Sequence, residues 1–322
     1  GWMITKPRLD IDQIELEKDL TIKAIKKQKE STYQLAFDLW RKMVYGDGPY
    51  GHDPLGSIKD IKKIGRDNLI PIANSLIFRN KNLVISGNIP LNIDDYIKNL
   101  VTFKEFSNIN LNRSLEKENN NLNNLYIQKS RIITKSIQTE QVIILLGKPT
   151  IKYDNDSDIM LRLLSCYLGY GMSSILFKVL REKHGVVYEA GVYHPIREHQ
   201  TPFIMHASTT EEKAIQTLKL LNECWEKVIY NDIKLEELEL LKIKYRGQIA
   251  HSLQSISQRA EHKAILLGLG LSVDHDKNIL LRLNNISSKE IRDAANKYLK
   301  KPSLSICSNR EVIKKITKYW DR

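Results

Sequence analysis

The sequence predicts an α+β protein of two similar domains, and three observations lead there. The chain has 322 residues, more than one hydrophobic core usually serves, because single cores stop growing at roughly 250 to 300 residues. Predicted strands fall in groups beside groups of helices instead of alternating with them singly. A faint internal repeat also joins the halves. Asp67 opens a helix that Asn82–Asn88 (NLVISGN) follows as strand and turn, and Ser288 opens one that Ser303–Asn309 (SLSICSN) follows at matching spacing.

Each element has a local reason. Leu16 to Tyr45 carries apolar residues at helical intervals with almost no Gly or Pro, which predicts one or two helices. Gly46 to Gly56 (GDGPYGHDPLG) packs glycines and prolines too densely for anything but a loop, and Ser57 is placed to cap a helix through Ile64. A second helix runs from Asp67 toward Ile77. Asn82–Ile85 (NLVI), between that helix and Gly87, predicts a central strand. Between Ser107 and Asn124 the chain turns polar and asparagine-rich, with little apolar surface to offset the entropy of ordering. It reads as an interdomain linker, dividing the chain into 1–106, 107–130 and 131–322. Beyond it, Ile132–Ile137 and Gln141–Gly147 predict strands, Asp156–Leu168 and Ser173–Lys183 helices, and Val186–His194 with Phe203–Ser208 a strand pair. Glu211–Ile229 and Leu235–Leu253 predict long amphipathic helices.

Composition narrows the function classes. Hydrophobic residues are 42% and charged residues 27% of the chain, the balance of a globular protein. No apolar run is long enough for a membrane span, and the first residues lack the order of a secretory signal. A soluble, cytoplasmic protein is expected, with export left open if the natural chain begins upstream. Cys166, Cys224 and Cys307 are odd in number and lack metal-ligand spacing, which fits a reducing compartment and argues against a disulfide framework. The net charge of +12 is spread along the chain among 38 acids, without an arginine-rich arm or aromatic-basic motif, so no nucleic-acid partner is expected.

The densest chemical signal is Leu168 to Tyr188, LGYGMSSILFKVLREKHGVVY. Gly169 and Gly171 open backbone conformations closed to other residues, and Ser173 or Ser174 can cap the helix that follows. Arg181 and Tyr188 flank Gly185, at a helix end and a strand start. A fixed guanidinium and phenol there can donate to a developing oxyanion. On local pattern alone, pairing of Arg181 with an acid and packing of Tyr188 on a sheet face is the favoured account of the two residues. Neither Gly169-Tyr170-Gly171 nor any other stretch completes a nucleotide-binding motif. His194, Glu198 and His199 hold metal-binding residue types, but Pro195 and the wide histidine spacing argue for a solvated loop. His52 reads as a structural or exposed loop histidine.

Three stretches in order, GDGPYGHDPLGS at 46–57, LGYGMSSILF at 168–177 and LREKHGVVYEAG at 180–191, resemble the insulinase/pitrilysin peptidases, especially the processing-peptidase type. The resemblance spans nearly the whole chain. It implies two homologous domains, each a mainly antiparallel sheet packed with helices, with the first incomplete at its N-terminus. It further implies an enclosed chamber shared with a second half, in which Arg181 and Tyr188 face substrate. Gly169, Gly171 and Ser173 would then shape substrate entry. The family's zinc site, H-x-x-E-H plus a glutamate on a later helix, is missing. No H-x-x-E-H occurs, and in ELEKDLTIKAI (15–25) Glu17 matches the first family glutamate while the metal-ligand position falls on Ala24, whose methyl group cannot bind zinc. The chain is therefore expected to hold no cofactor, to take peptides, and to rely on a homologous zinc-binding subunit. Two rivals are a scaffold protein of the same fold and a fragment of a single-chain peptidase.

Overall fold

A computed structural model describes residues 6–78, 82–99, 131–153 and 156–320. The linker expected around 107–130 lies outside these. Contacts divide the chain into two compact units: residues 1–28, 53–125 and 253–270 form the first, and residues 29–52, 126–252 and 271–322 the second.

The second unit is an α+β sandwich around five strands: β1 (Ile132–Ser136), β2 (Gln141–Pro149), β3 (Glu189–Tyr193), β4 (Pro202–Thr210) and β5 (Ser303–Ser308). Their order is β1-β5-β2-β4-β3, antiparallel throughout except for the parallel β1–β5 pair. The chain's last strand thus enters the sheet between its first two. β2 reads QVIILLGKP and is buried from Val142 through Leu146. Such a run is what a strand covered on both faces requires.

One face packs on helices α6 (Asp158–Gly169), α7 (Ala214–Tyr230), α8 (Leu235–Ser252), α11 (Ser288–Tyr298) and α12 (Arg310–Trp320). Val142, Ile144, Leu146, Phe203, Met205, Leu304 and Ile306 belong to this larger core. The Trp225 indole donates to Leu299 O at 2.9 Å, tying α7 to the end of α11.

The other face is covered by α2 (Thr32–Tyr45), a helix that the chain-order division assigns to the first domain. Ala36, Trp40 and Val44, each one helical turn apart, meet Ile143, Leu145, Ile204 and Cys307. The buried Ser305 hydroxyl donates to Ala36 O at 2.7 Å. Helical periodicity shows that α2 has an apolar face but not which sheet it covers. Ser31 caps α2, accepting from Gln34 N at 3.2 Å, and so breaks the predicted helical stretch into α1 (Ile11–Glu30) and α2.

The first unit holds α1 through Gln28, α3 (Ile58–Lys63), α4 (Arg66–Phe78), α5 (Ile93–Asn99) and α9 (Ile256–Gly268). Ser57 caps α3 as predicted, accepting from Asp60 N at 3.2 Å. The predicted strand at Asn82–Ile85 is not formed: among the described residues this segment pairs with no other strand, and Leu83 and Ile85 are exposed. Branched apolar residues favour a strand only where a neighbour completes the ladder. α9 and α10 (His275–Asn284, second unit) complete the helices.

Candidate functional site at the β3 edge

β3 ends the sheet, with β4 on one side and no strand on the other among the described residues. Tyr188 stands directly before β3, and Arg181 lies on the helical segment that packs against it. Residues 177–183 form a π-helix, a wider turn than the expected α-helix and one often found near functional sites. Its end is pinned from several sides. Gly185 N donates to Arg181 O at 3.2 Å and Val186 N to Leu180 O at 2.8 Å. Val186 O accepts from Thr209 Oγ1 at 2.5 Å and Thr217 Oγ1 at 3.3 Å. Tyr188 N then donates to Ser208 O at 2.9 Å, starting the strand.

Both side chains stay outside this network. Tyr188 is 68% exposed. Arg181 is exposed, its guanidinium 5.4 Å from the Phe177 ring centroid. Among the described residues no carboxylate pairs with Arg181, and the Tyr188 hydroxyl has no hydrogen-bond partner. The structural alternative, in which an acid holds Arg181 and Tyr188 fills a sheet face, finds no such contact. Two donors on a firmly held backbone are thus left to solvent or a ligand.

The glycine-rich stretch divides by role. A Cβ on Gly169 would lie 2.6 Å from Val192 N and 2.9 Å from Val192 Cγ2, so Gly169 lets the end of α6 press against β3. Gly171 has φ +69° with open space around it, and its conformation is what demands glycine. Ser174, rather than Ser173, serves the following turn, its Oγ accepting from Phe177 N at 3.4 Å. Ser173 instead lines a cleft of about 390 Å³ with Tyr167, Ile175, Lys178, Leu240 and Lys244. No sequence motif marks the last two. The available signal is that α8 buries Leu238, Leu241 and Tyr245 yet also turns Leu240 and Ile243 outward.

His194 does not lie in a solvated loop. Its side chain is fully buried, Nδ1 2.9 Å from Pro202 O and Nε2 3.4 Å from Asp158 Oδ1. Asp158 also accepts from Arg162 Nε, and the Arg162 guanidinium stacks 4.4 Å from the Tyr153 ring centroid. Burial, opposed by Asp158 and reinforced by Arg162, holds the His194 pKa below its ordinary value. A search for metal spacing does not foresee this burial. His52 is indeed an exposed loop residue, Nε2 3.1 Å from Asp47 O.

For a zinc ion the donor set does not fit. α1 carries Glu17 and Ala24 at exposed positions and contains no histidine. Among the described residues no three His, Cys, Asp or Glu side chains gather closely enough to hold a metal. All three cysteines are buried, and burial raises the Cys166 pKa to about 11, the chemistry of inert core thiols. No helix among the described residues is long and apolar enough to cross a membrane.

The fold and this edge define a peptidase-like α+β protein. Its family follows from comparison: the model of the peptidase M16 inactive domain matches residues 79–245, more than half of the chain, and the chain belongs to that family. The insulinase-type resemblance of its motifs is thereby borne out. Relatives include an uncharacterized zinc protease of Rickettsia bellii (strain RML369-C), 26% identical over 302 residues, covering 91% of this chain and 69% of the relative. Another is the uncharacterized zinc protease YmxG of Bacillus subtilis (strain 168), 23% identical, covering 89% and 68%. This chain spans about two thirds of their length. Among solved structures, a peptidase M16 inactive domain from Pseudomonas fluorescens superposes with a TM-score of 0.76 at 19% identity, over 95% of this chain and 73% of that one. A chain of Complex III2 from Candida albicans gives 0.69 at 10% identity, over 94% and 74%. These likenesses concern the fold.

Proposed function

We propose that this chain is the non-catalytic, substrate-binding half of a two-part zinc peptidase, closing with a homologous zinc-binding subunit around a chamber. The observation that carries the reading is the uncommitted pair at the sheet edge, Arg181 and Tyr188, held on a pinned backbone beside β3. An extended peptide adds to the free edge of β3 through backbone hydrogen bonds. Arg181 and Tyr188 orient its scissile carbonyl and donate to the oxygen as charge develops. The zinc, the attacking water and the general base are the partner's.

The test mixes this chain with an H-x-x-E-H-bearing homologue and follows cleavage of a fluorogenic peptide. Arg181→Lys or Tyr188→Phe should leave melting temperature and association unchanged and lower turnover by about 10²- to 10³-fold, the usual cost of one oxyanion donor. The chain alone should bind no stoichiometric zinc and cleave nothing. Full turnover by a stably assembled double variant would reject the reading. It would favour the scaffold alternative.

A further inference from the structure

Ser173 opens onto a cleft that the edge site does not use. One wall is the turn after α6 and the helical segment that follows it, with Ile175 and Lys178, and the other is the outward face of α8, with Leu240, Ile243 and Lys244. Each wall therefore brings one lysine and apolar surface. Leu240 and Ile243 are 68% and 61% exposed, one turn apart on a helix whose opposite face is already buried in the core. Met172, at the mouth of the turn, is 75% exposed. A monomer gains nothing from keeping these apolar groups in water, and the contiguity of the patch marks a contact surface.

The charges in the cleft are unbalanced. Among the described residues neither the Lys178 nor the Lys244 ammonium meets a carboxylate. Lys244 lies over the Tyr170 ring, Nζ 5.8 Å from its centroid. Glu237, the acid in the lining, already accepts from the Tyr167 hydroxyl at 2.6 Å. Lys178 and Lys244 line the same cleft, and burial depresses the Lys244 pKa, opposed by Cys166 and reinforced by repulsion from Lys178. An anion between the walls relieves that repulsion from both sides.

We infer that this cleft binds a peptide segment in which apolar side chains flank an aspartate or glutamate. The carboxylate sits between Lys178 and Lys244, and the flanking side chains cover Ile175 on one wall and Leu240 with Ile243 on the other. An internal acidic residue fits better than a C-terminal carboxylate, because a chain that ended at the lysines would leave one apolar wall uncovered. The inference rests on the reading of this chain as a peptide-binding half and gives that reading a substrate class, segments that are acidic and apolar.

Direct binding tests it without a partner subunit and without turnover, so its failure is separable from that of the oxyanion reading. Fluorescence anisotropy of the full chain is measured with a blocked, labelled peptide carrying one glutamate between leucine pairs, and with its glutamine isostere. The glutamate peptide should bind about tenfold more tightly, the sum expected of two partly exposed ion pairs. Lys178→Gln with Lys244→Gln should erase that preference. Lys314→Gln with Lys315→Gln, exposed on α12, removes the same charge and should preserve it. Equal affinity for the two peptides, or equal loss in both double variants, overturns the inference. So does sedimentation showing that the cleft lysines hold two copies of the chain together, or vesicles of anionic phospholipid binding there without competition from the peptide.

Discussion

Helix α2 gives the sharpest test of how the chain is divided. Trp40 is fully buried in the layer between α2 and the sheet, against a face that includes Ile143, Leu145, Ile204 and Cys307. Truncating a fully buried tryptophan costs about 3 to 5 kcal/mol in lost transfer energy and residual cavity. For a unit of this size each kcal/mol lowers the melting temperature by roughly 2 to 4 °C, so Trp40→Ala should lose about 6 to 20 °C. Trp40→Phe should cost far less. The indole nitrogen of Trp40 is buried without a hydrogen-bond partner among the described residues, and removing an unsatisfied donor recovers about 1 to 3 kcal/mol against the smaller ring. Hydrogen exchange followed by mass spectrometry locates the damage: amides of β2, β4 and β5 should lose protection in the alanine variant and keep it in the phenylalanine variant. If only α1, α3 and α4 lost protection, α2 would belong energetically with the first unit. By the same reasoning, a fragment beginning at residue 131 would leave the α2 face of the sheet bare.

Two further outcomes follow from the glycine-rich turn and the buried histidine. Gly169→Ala drives a Cβ to 2.6 Å from Val192 N, a backbone atom that cannot swing aside, and should cost about 1 to 3 kcal/mol by overpacking while displacing β3. Gly171→Ala meets no neighbour and should cost only about 1 kcal/mol, for its positive φ; thermal melts showing equal losses would remove the distinction between the two glycines. For His194 the folded pKa lies below the unfolded value of about 6.5, so the unfolded chain takes up the proton first. Its contribution to stability is complete above pH 6.5 and falls as pH drops toward the folded pKa, by at most about 1.4 kcal/mol per pH unit. His194→Asn should flatten the melting profile between pH 7 and 5 relative to the parent; parallel profiles would show that this histidine does not titrate on unfolding.

What the sequence made legible was mostly local. Gln141–Gly147 reads as a buried strand because its branched and leucine side chains run without a polar break, and β2 stands there with two residues added at its end. Ser57 announces its helix because a hydroxyl before an acid-containing first turn has few other uses. α9 was not read, although Ser255 and Gln258 form a reciprocal capping box at its start, because no strong apolar periodicity follows. The partners of α2 and of Asn82–Ile85 could not be read at all, since both are decided by residues more than a hundred positions away or by strands that this segment does not meet. His194 failed for a related reason. A proline and then the polar run Arg197–Gln200 follow it, but its surroundings are set by Asp158 and Phe203 across the fold.

The scaffold and peptide-binding readings place different demands on the same two residues. A scaffold needs the buried layers, the Gly169 contact with Val192 and the hydrogen bonds that hold Val186, and all of these are satisfied without Arg181 or Tyr188. Stacking of Arg181 over Phe177 at an exposed position is worth about 0.5 to 1 kcal/mol, within reach of many side chains. A phenol 68% exposed with no hydrogen-bond partner among the described residues contributes still less to the fold. Stability therefore explains neither side chain. The proposed function accounts for both, since it needs a guanidinium and a phenol with open polar ends on a fixed backbone beside β3.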